Sequence, residues 1–319
     1  MSGQLMGPIP TMILGGSDLR TAPPRKRVHV ESQRDLAGYK GAAIRLEGVP
    51  LIRLLIERLQ SSGVLDPICV VGPARIYREA VSDQSIIDTD GSFSQNVSVA
   101  TSWLAEHFPG SPAAFTTCDI LPELNDLDRL LEAYRQSKGS VVWYPLIRAP
   151  LETQFLGASF WKPQYTIVDA EGRPIRVLPC HFIVADVRCL RLRLLGNLLE
   201  TAYRTRNRPI GKRLIPILVG ALVSLVREDL SELAQHRPPT FGLRAAAGGC
   251  RVALRLKRGT LRTSDLEAFI GATGIRRACF PLPGRHPAVS LPVLDCLSFA
   301  LDIDTEEEAL ALAASRRPA

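Results

Sequence analysis

Short apolar runs alternate with stretches of helical periodicity through the first 145 residues, and this alternation constrains the fold more than any other feature. Residues 11–14 read as a buried strand, followed by a turn at Gly15, Gly16 and Ser17. Residues 51–60 carry apolar side chains at 51, 52, 54, 55, 56 and 59, which is helical spacing. Gly63 ends that helix, and residues 68–71 make a second strand closed by Gly72-Pro73. A helix is expected over 96–107, a third strand over 113–117, a helix over 127–136 and a fourth strand over 140–144. Strands alternating with helices imply an α/β fold with a parallel sheet covered by helices on both faces. Such sheets bind ligands outside the carboxyl ends of their strands.

Beyond about residue 150 the pattern changes. Residues 165–168 and 174–178 suit a hairpin around an acidic turn, and 181–185 a strand. From 190 to 235 the chain reads as mostly helical and basic on one side. A strand is expected over 251–256, a helix over 264–270 and a strand over 297–301. A terminal helix over 306–314 has acids in its first turn, and Thr305 or Asp304 caps it.

Composition narrows the partners. The 39 Lys and Arg against 32 Asp and Glu give a net charge of +7, which suits anionic partners such as nucleotides, sugar phosphates or a lipid surface. Aromatics at 6%, with no dense basic stripe between them, argue against nucleic acid. Seven cysteines stand singly, without metal or redox spacing, and no secretory signal precedes them. Reduced thiols in a cytoplasmic setting are expected. The longest apolar run, 214–226, is broken by Pro216 and Gly220. It falls short of the roughly 20 residues of a membrane span and reads as a buried helix. Lys212, Arg213 and Arg227 beside it leave peripheral membrane contact open.

Four places can carry chemistry. Leu14-Gly15-Gly16-Ser17 follows a strand, and glycines there let backbone amides approach a triphosphate; an ordinary tight turn is the alternative. Lys40 could neutralise charge developing on a phosphate, or be a solvated lysine. Asp119, just past the third strand, could hold Mg²⁺ or could cap a turn before Pro122. Asp302 and Asp304 flank Ile303, so an extended backbone puts both carboxylates on one face. One could complete a metal site while the other caps the last helix.

Taken in order, the glycine turn, the lysine, Gly48-Val49-Pro50-Leu51-Ile52, Asp119-Ile120-Leu121-Pro122 and Asp302-Ile303-Asp304-Thr305-Glu306 resemble the sugar-phosphate nucleotidyltransferases. Within them the chain is most similar to the molybdenum-cofactor guanylyltransferase-like NTP transferases, over about residues 11–145 and 297–314. The resemblance implies a Rossmann-like fold of the GT-A kind with a mixed, mostly parallel sheet. Residues 1–10 read as a disordered stretch, and the resemblance implies one nucleotidyltransferase domain over 11–319. Residues 150–296 would form its acceptor side, with a helical, basic elaboration at about 190–240. By the same resemblance Leu14, Gly15, Gly16 and Ser17 hold base and phosphates, Lys40 contacts phosphate, and Asp119 and Asp302 hold Mg²⁺. Ser92 and Asn96 fall where relatives place a nucleotide-proximal loop and helix start. The implied reaction moves an NMP from an NTP, CTP or GTP, to a phosphorylated small molecule with release of pyrophosphate.

Two departures stand out. Ser17-Asp18-Leu19-Arg20 replaces a longer glycine loop, and Cys180-His181 stands where many relatives have Gly-Asn. Two alternatives follow: a nucleotide-binding protein without turnover, serving as regulator or scaffold, or a GT-A glycosyltransferase using an NDP-sugar. Arg204, Arg206, Arg208, Lys212 and Arg213 are candidates for gripping the acceptor's anionic part, or form a solvated helix face.

Overall fold

A computed structural model describes residues 7–15, 39–81, 84–137, 139–150, 164–169, 171–205, 210–234, 236, 238–276, 279 and 288–315. At 199, 201–205, 210–219 and 312–315 it describes the backbone alone. β1 (Ile9–Leu14) is buried along its length up to half-buried Leu14. It starts two residues earlier than the sequence suggests, so Ile9 and Pro10 belong to the sheet and not to a disordered lead. The chain is next described at Tyr39, before the single helical turn α1 (Lys40–Ala43). A small hairpin of β2 (Arg45–Leu46) and β3 (Val49–Pro50) follows, turning at Glu47 and Gly48 with positive φ.

α2 (Leu51–Gln60) buries Leu51, Ile52, Leu55, Ile56 and Leu59, the stripe its spacing announced. β4 (Leu65–Gly72), the turn α3 (Ala74–Tyr77) and β5 (Ser85–Asp88) come next. α4 (Phe93–His107) opens on a capping box in which Ser92 and Gln95 satisfy each other's amides. β6 (Ala113–Thr117), α5 (Leu124–Gln136) and β7 (Val142–Trp143) complete the alternating half.

The second half adds β8 (Leu146–Arg148) and the hairpin of β9 (Tyr165–Val168) with β10 (Pro174–Pro179). β11 (Phe182–Ala185) leads into four helices: α6 (Leu192–Thr205), α7 (Ile210–Ala234), α8 (Phe241–Lys257) and α9 (Thr263–Gly274). β12 (Val289–Ser290), β13 (Val293–Leu294) and α10 (Glu306–Ser315) close the chain. Thr305 caps α10, its hydroxyl oxygen accepting from the Glu308 amide at 3.2 Å.

The main sheet runs β12-β7-β11-β6-β1-β4-β5, and β13-β8-β10-β9 forms a second. β6, β1, β4 and β5 are parallel, while β11 runs antiparallel between β6 and β7. Alternation along each strand feeds two cores. Ile13, Val70 and Ala114 face α2 and α5, whereas Met12, Val71 and Phe115 face Ala100 and Leu104 of α4. The fold is therefore a Rossmann-like α/β sheet with helices on both faces and a helical elaboration.

Three expectations need correction. The strand expected over 251–256 lies inside α8, because Val252 and Leu256 turn inward four residues apart, a helical period. The strand expected over 297–301 is a short 3₁₀ turn at Leu297–Phe299. Its Ser298 donates from amide and hydroxyl to the buried Asp126 carboxylate, at 3.1 and 2.7 Å, which holds the turn against α5. The helix expected to be buried, α7, exposes Leu222, Val223 and Val226 over its described side chains. All seven cysteines are free. No helix among the described residues is long and apolar enough to cross a membrane.

Replacing Asp126 by Ala strands two buried donors of Ser298 at once. A loss of about 1–3 kcal/mol in unfolding free energy is expected from urea denaturation. An unchanged midpoint would show that this contact does not secure the closing segment.

Candidate functional site

Register fixes where the candidate residues meet. Leu14 pairs in parallel with Thr117 on one side and Val71 on the other, so β1, β6 and β4 end at one rim. The Gly15 amide continues the ladder to the Val71 carbonyl at 2.9 Å. Gly15 needs its missing side chain: a Cβ there would sit 2.8 Å from the Tyr77 ring, and the Tyr77 hydroxyl donates to its carbonyl. Gly16 and Ser17, with the rest of 16–38, lie outside the described residues.

Asp119 follows β6 on the same rim. Its backbone carbonyl accepts from the Ile303 amide at 2.7 Å, which draws the 301–304 segment alongside. Ile303 is buried among Ile44, Leu51, Leu121 and Ala309. With Ile303 turned inward, Asp302 and Asp304 point to the other side. One carboxylate oxygen from each of Asp119, Asp302 and Asp304 lies within 4.8 Å of the others. Asp304, offered by the sequence as a helix cap, belongs to this cluster, and Thr305 does the capping. The signal was present in the alternation of Asp302-Ile303-Asp304.

Lys40 opens α1 and reaches into the cluster. Its Nζ donates to Asp304 and stands 3.6 Å from Asp119 Oδ2. Burial pulls the ammonium's pKa down, but Asp119, Asp304 and Asp302 outweigh it and leave it raised. For Asp119 burial pushes upward, while His181, Lys40 and Thr117 outweigh it and hold the carboxyl below its ordinary value. The Lys40 contribution to stability is thus present at neutral pH and fades as pH rises through its raised pKa. That of Asp119 is present at neutral pH and fades as pH falls through its lowered one. Asp119 Oδ1 is buried with no hydrogen-bond partner.

Two further features border the cluster. Because β11 is antiparallel, its amino end meets the carboxyl end of β6, and His181 arrives beside Asp119. His181 Nδ1 is 3.2 Å from Thr117 Oγ1, and its amide donates to the Phe299 carbonyl at 2.8 Å. On the other flank the Tyr39 hydroxyl donates to Asp90 at 2.7 Å and accepts from Arg75 at 3.1 Å. That brace, which sequence reading missed for want of any local pattern, anchors the residue preceding Lys40.

Ser92 and Asn96 stand at the amino end of α4, past the carboxyl end of β5. Their side chains work locally. Ser92 caps the helix, and the Asn96 carbonyl oxygen accepts from Thr89 at 3.0 Å and the Gly91 amide at 3.2 Å. Arg206 and Arg208 lie outside the described residues, as do the side chains of Arg204, Lys212 and Arg213.

No family model matches the chain, and no curated protein matches it. Solved structures resemble it at low identity. One is 4-diphosphocytidyl-2C-methyl-D-erythritol synthase from Anaerococcus prevotii DSM 20548, 10% identical with a TM-score of 0.44, covering 98% of this chain and 99% of that one. Another is CMP:2-keto-3-deoxy-manno-octonic acid synthetase complexed with CTP, 11% identical with a TM-score of 0.48, covering 98% and 100%. HddC from Yersinia pseudotuberculosis, complexed with GMP-PN, is 13% identical with a TM-score of 0.40, covering 56% and 77%.

Gly41 lets α1 approach the turn that carries Asp119, since a Cβ there would lie 2.8 Å from that of Cys118. Gly41→Ala is expected to cost about 1–3 kcal/mol in thermal unfolding. The cost should shrink when Cys118→Gly is added. Equal costs in both backgrounds would place the strain elsewhere.

Proposed function

We propose that the chain is a nucleotidyltransferase that moves a nucleoside monophosphate from an NTP to a phosphorylated small molecule and releases pyrophosphate. The observation that carries this reading is the Lys40 ammonium held among three carboxylates on the rim where β1 ends at Gly15. The ends of parallel strands are where such sheets bind ligands. A close cationic and carboxylate set there suits a polyphosphate and its counter-ion.

The donor set fits Mg²⁺. All three groups are hard carboxylate oxygens, and the buried, unpartnered Asp119 Oδ1 is the kind of atom a cation would satisfy. Asp119, Asp302 and Asp304 would hold the ion, which when bound supplies positive charge to phosphate oxygens. Lys40 contributes a fixed positive charge toward the reacting phosphates, placed by α1 before substrate arrives. Leu14 and Gly15 frame the base and phosphates, the Gly15 amide and carbonyl being engaged by Val71 and Tyr77, and Gly16 and Ser17 after them offer backbone groups. Ser92 and Asn96 act through the helix start they shape, their side chains being engaged in it. His181, beside Asp119, is assigned to steady that carboxylate and to meet the acceptor's phosphate.

In the reaction an acceptor phosphate oxygen attacks the α-phosphorus, a new P–O bond forms, and the bond to the bridging β-phosphate oxygen breaks. Its electron pair leaves with pyrophosphate. The acceptor oxygen is already ionised at neutral pH, so no protein base is required, and positioning and charge supply the rate. CTP or GTP is the proposed donor, and the molybdenum-cofactor guanylyltransferase-like enzymes the proposed relatives, within the GT-A type. Residues 150–296 form the proposed acceptor side. Seven free thiols support a cytoplasmic setting.

Asp119→Asn and Lys40→Ala are each expected to lower Mg²⁺-dependent pyrophosphate release at least about a hundredfold, with circular dichroism unchanged. Release that survives both substitutions would remove the catalytic assignment. NDP release from NDP-sugars would replace it with glycosyl transfer, and nucleotide binding without product would replace it with a regulator.

A further inference from the structure

α7 and α8 carry an apolar surface that the proposed chemistry does not use. On α7 Leu222, Val223, Val226, Leu230 and Leu233 recur at helical spacing and stay exposed, Leu222 by 62% and Leu230 by 60%. On α8 Leu243, Ala247, Cys250 and Leu254 form a matching row, with Leu243 exposed by 75%. The two rows adjoin. Asp229 of α7 accepts from the Gly242 amide of α8 at 3.0 Å, and a Cβ on Gly242 would meet Leu225, so each stripe borders the seam between the helices. A contiguous exposed patch of this kind marks an interaction site.

Charge is sorted around the patch. The α7 carboxylates turn inward. Glu228 and Glu232 pair with Arg191 at 2.5 and 3.2 Å, and Asp229 holds Gly242. The bases turn outward. Arg244, Arg251 and Arg258 recur every seven residues and share one exposed edge, with Lys257 at the same end and Arg227 on α7. Among the described side chains of the two helices, every exposed charged group is basic.

We infer that this face docks on an anionic lipid surface. Leucines sink to the headgroup boundary while the arginine edge meets lipid phosphates, the arrangement of an interfacial amphipathic helix. A second copy of the chain fits less well, since a two-fold pairing of the patch would set one cationic edge against another. The inference stands apart from the nucleotidyl-transfer reading, because it uses none of the rim residues.

The test is sedimentation of the full chain with vesicles of phosphatidylcholine alone or with about a third phosphatidylglycerol. Binding is expected to the anionic vesicles and to weaken with added salt. Arg244→Gln, Arg251→Gln and Arg258→Gln together should lower partitioning about a hundredfold, from roughly fivefold per charge. Leu222→Ser with Leu230→Ser and Leu254→Ser should abolish it, and these exposed positions should leave thermal stability unchanged. No binding to anionic vesicles, or binding indifferent to both sets, overturns the inference. So does a dimer in analytical ultracentrifugation that the serine variants convert to monomer, which would give the face to a second copy.

Discussion

The candidate site depends on one backbone hydrogen bond, from the Ile303 amide to the Asp119 carbonyl. Without it, Asp302 and Asp304 are 183 and 185 residues away in sequence and have no reason to approach a third carboxylate. The bond works because Ile303 has an apolar socket formed by Ile44, Leu51, Leu121 and Ala309. Burying one isoleucine contributes on the order of 2 kcal/mol, and the inward turn of that residue fixes the outward turn of its neighbours. Hydrophobic burial is thereby converted into the placement of like charges.

The rest of the rim is built by close approach. Gly41 lets a four-residue helix touch Cys118, and Gly15 lets the Tyr77 ring close over the end of β1. Tyr77 thus stands between the ends of β1 and β6, its hydroxyl donating to Gly15 and lying 4.0 Å from Cys118 Sγ. Tyr39 packs edge-on against the same ring at 6.2 Å, so Lys40 follows directly on this aromatic pair. The reversal of β11 adds His181 from the opposite direction. None of these contacts is local in sequence, so the described part of the rim is assembled only by the fold as a whole.

The parallel half was legible because strands buried on both faces leave compact apolar runs, and helices packed on them keep a clean stripe. Residues 51–60 and 113–117 have the expected bounds in the structure. Lys40, Asp119 and Asp302 stood out by residue type and order, and they meet in space. Asp304 was readable in its alternation with Asp302 but competed with a capping role that Thr305 fills. The second half was harder. In residues 251–256 apolar and basic side chains nearly alternate, which imitates a strand, and only packing of Val252 and Leu256 against the β8–β10 cluster decides for a helix. Likewise an apolar run such as 214–226 says that surface is available, not what covers it.

The electrostatics of the rim point in one direction. Three carboxylate oxygens within 4.8 Å repel by at least roughly 3 kcal/mol per pair at an effective dielectric near 20. Lys40 compensates part of this through Asp304 and Asp119, yet one ammonium cannot balance three acids. A crowded acid can shed the strain by taking up a proton, which would appear as a raised carboxyl pKa. At Asp119 the shift goes the other way in spite of burial, because His181 and Lys40 face it. Asp119 therefore keeps its negative charge at neutral pH, with the Lys40 that tempers the repulsion 3.6 Å away. A rim built this way sets a fixed cation inside an acidic cluster, and the proposed metal and phosphate roles both rest on that pairing.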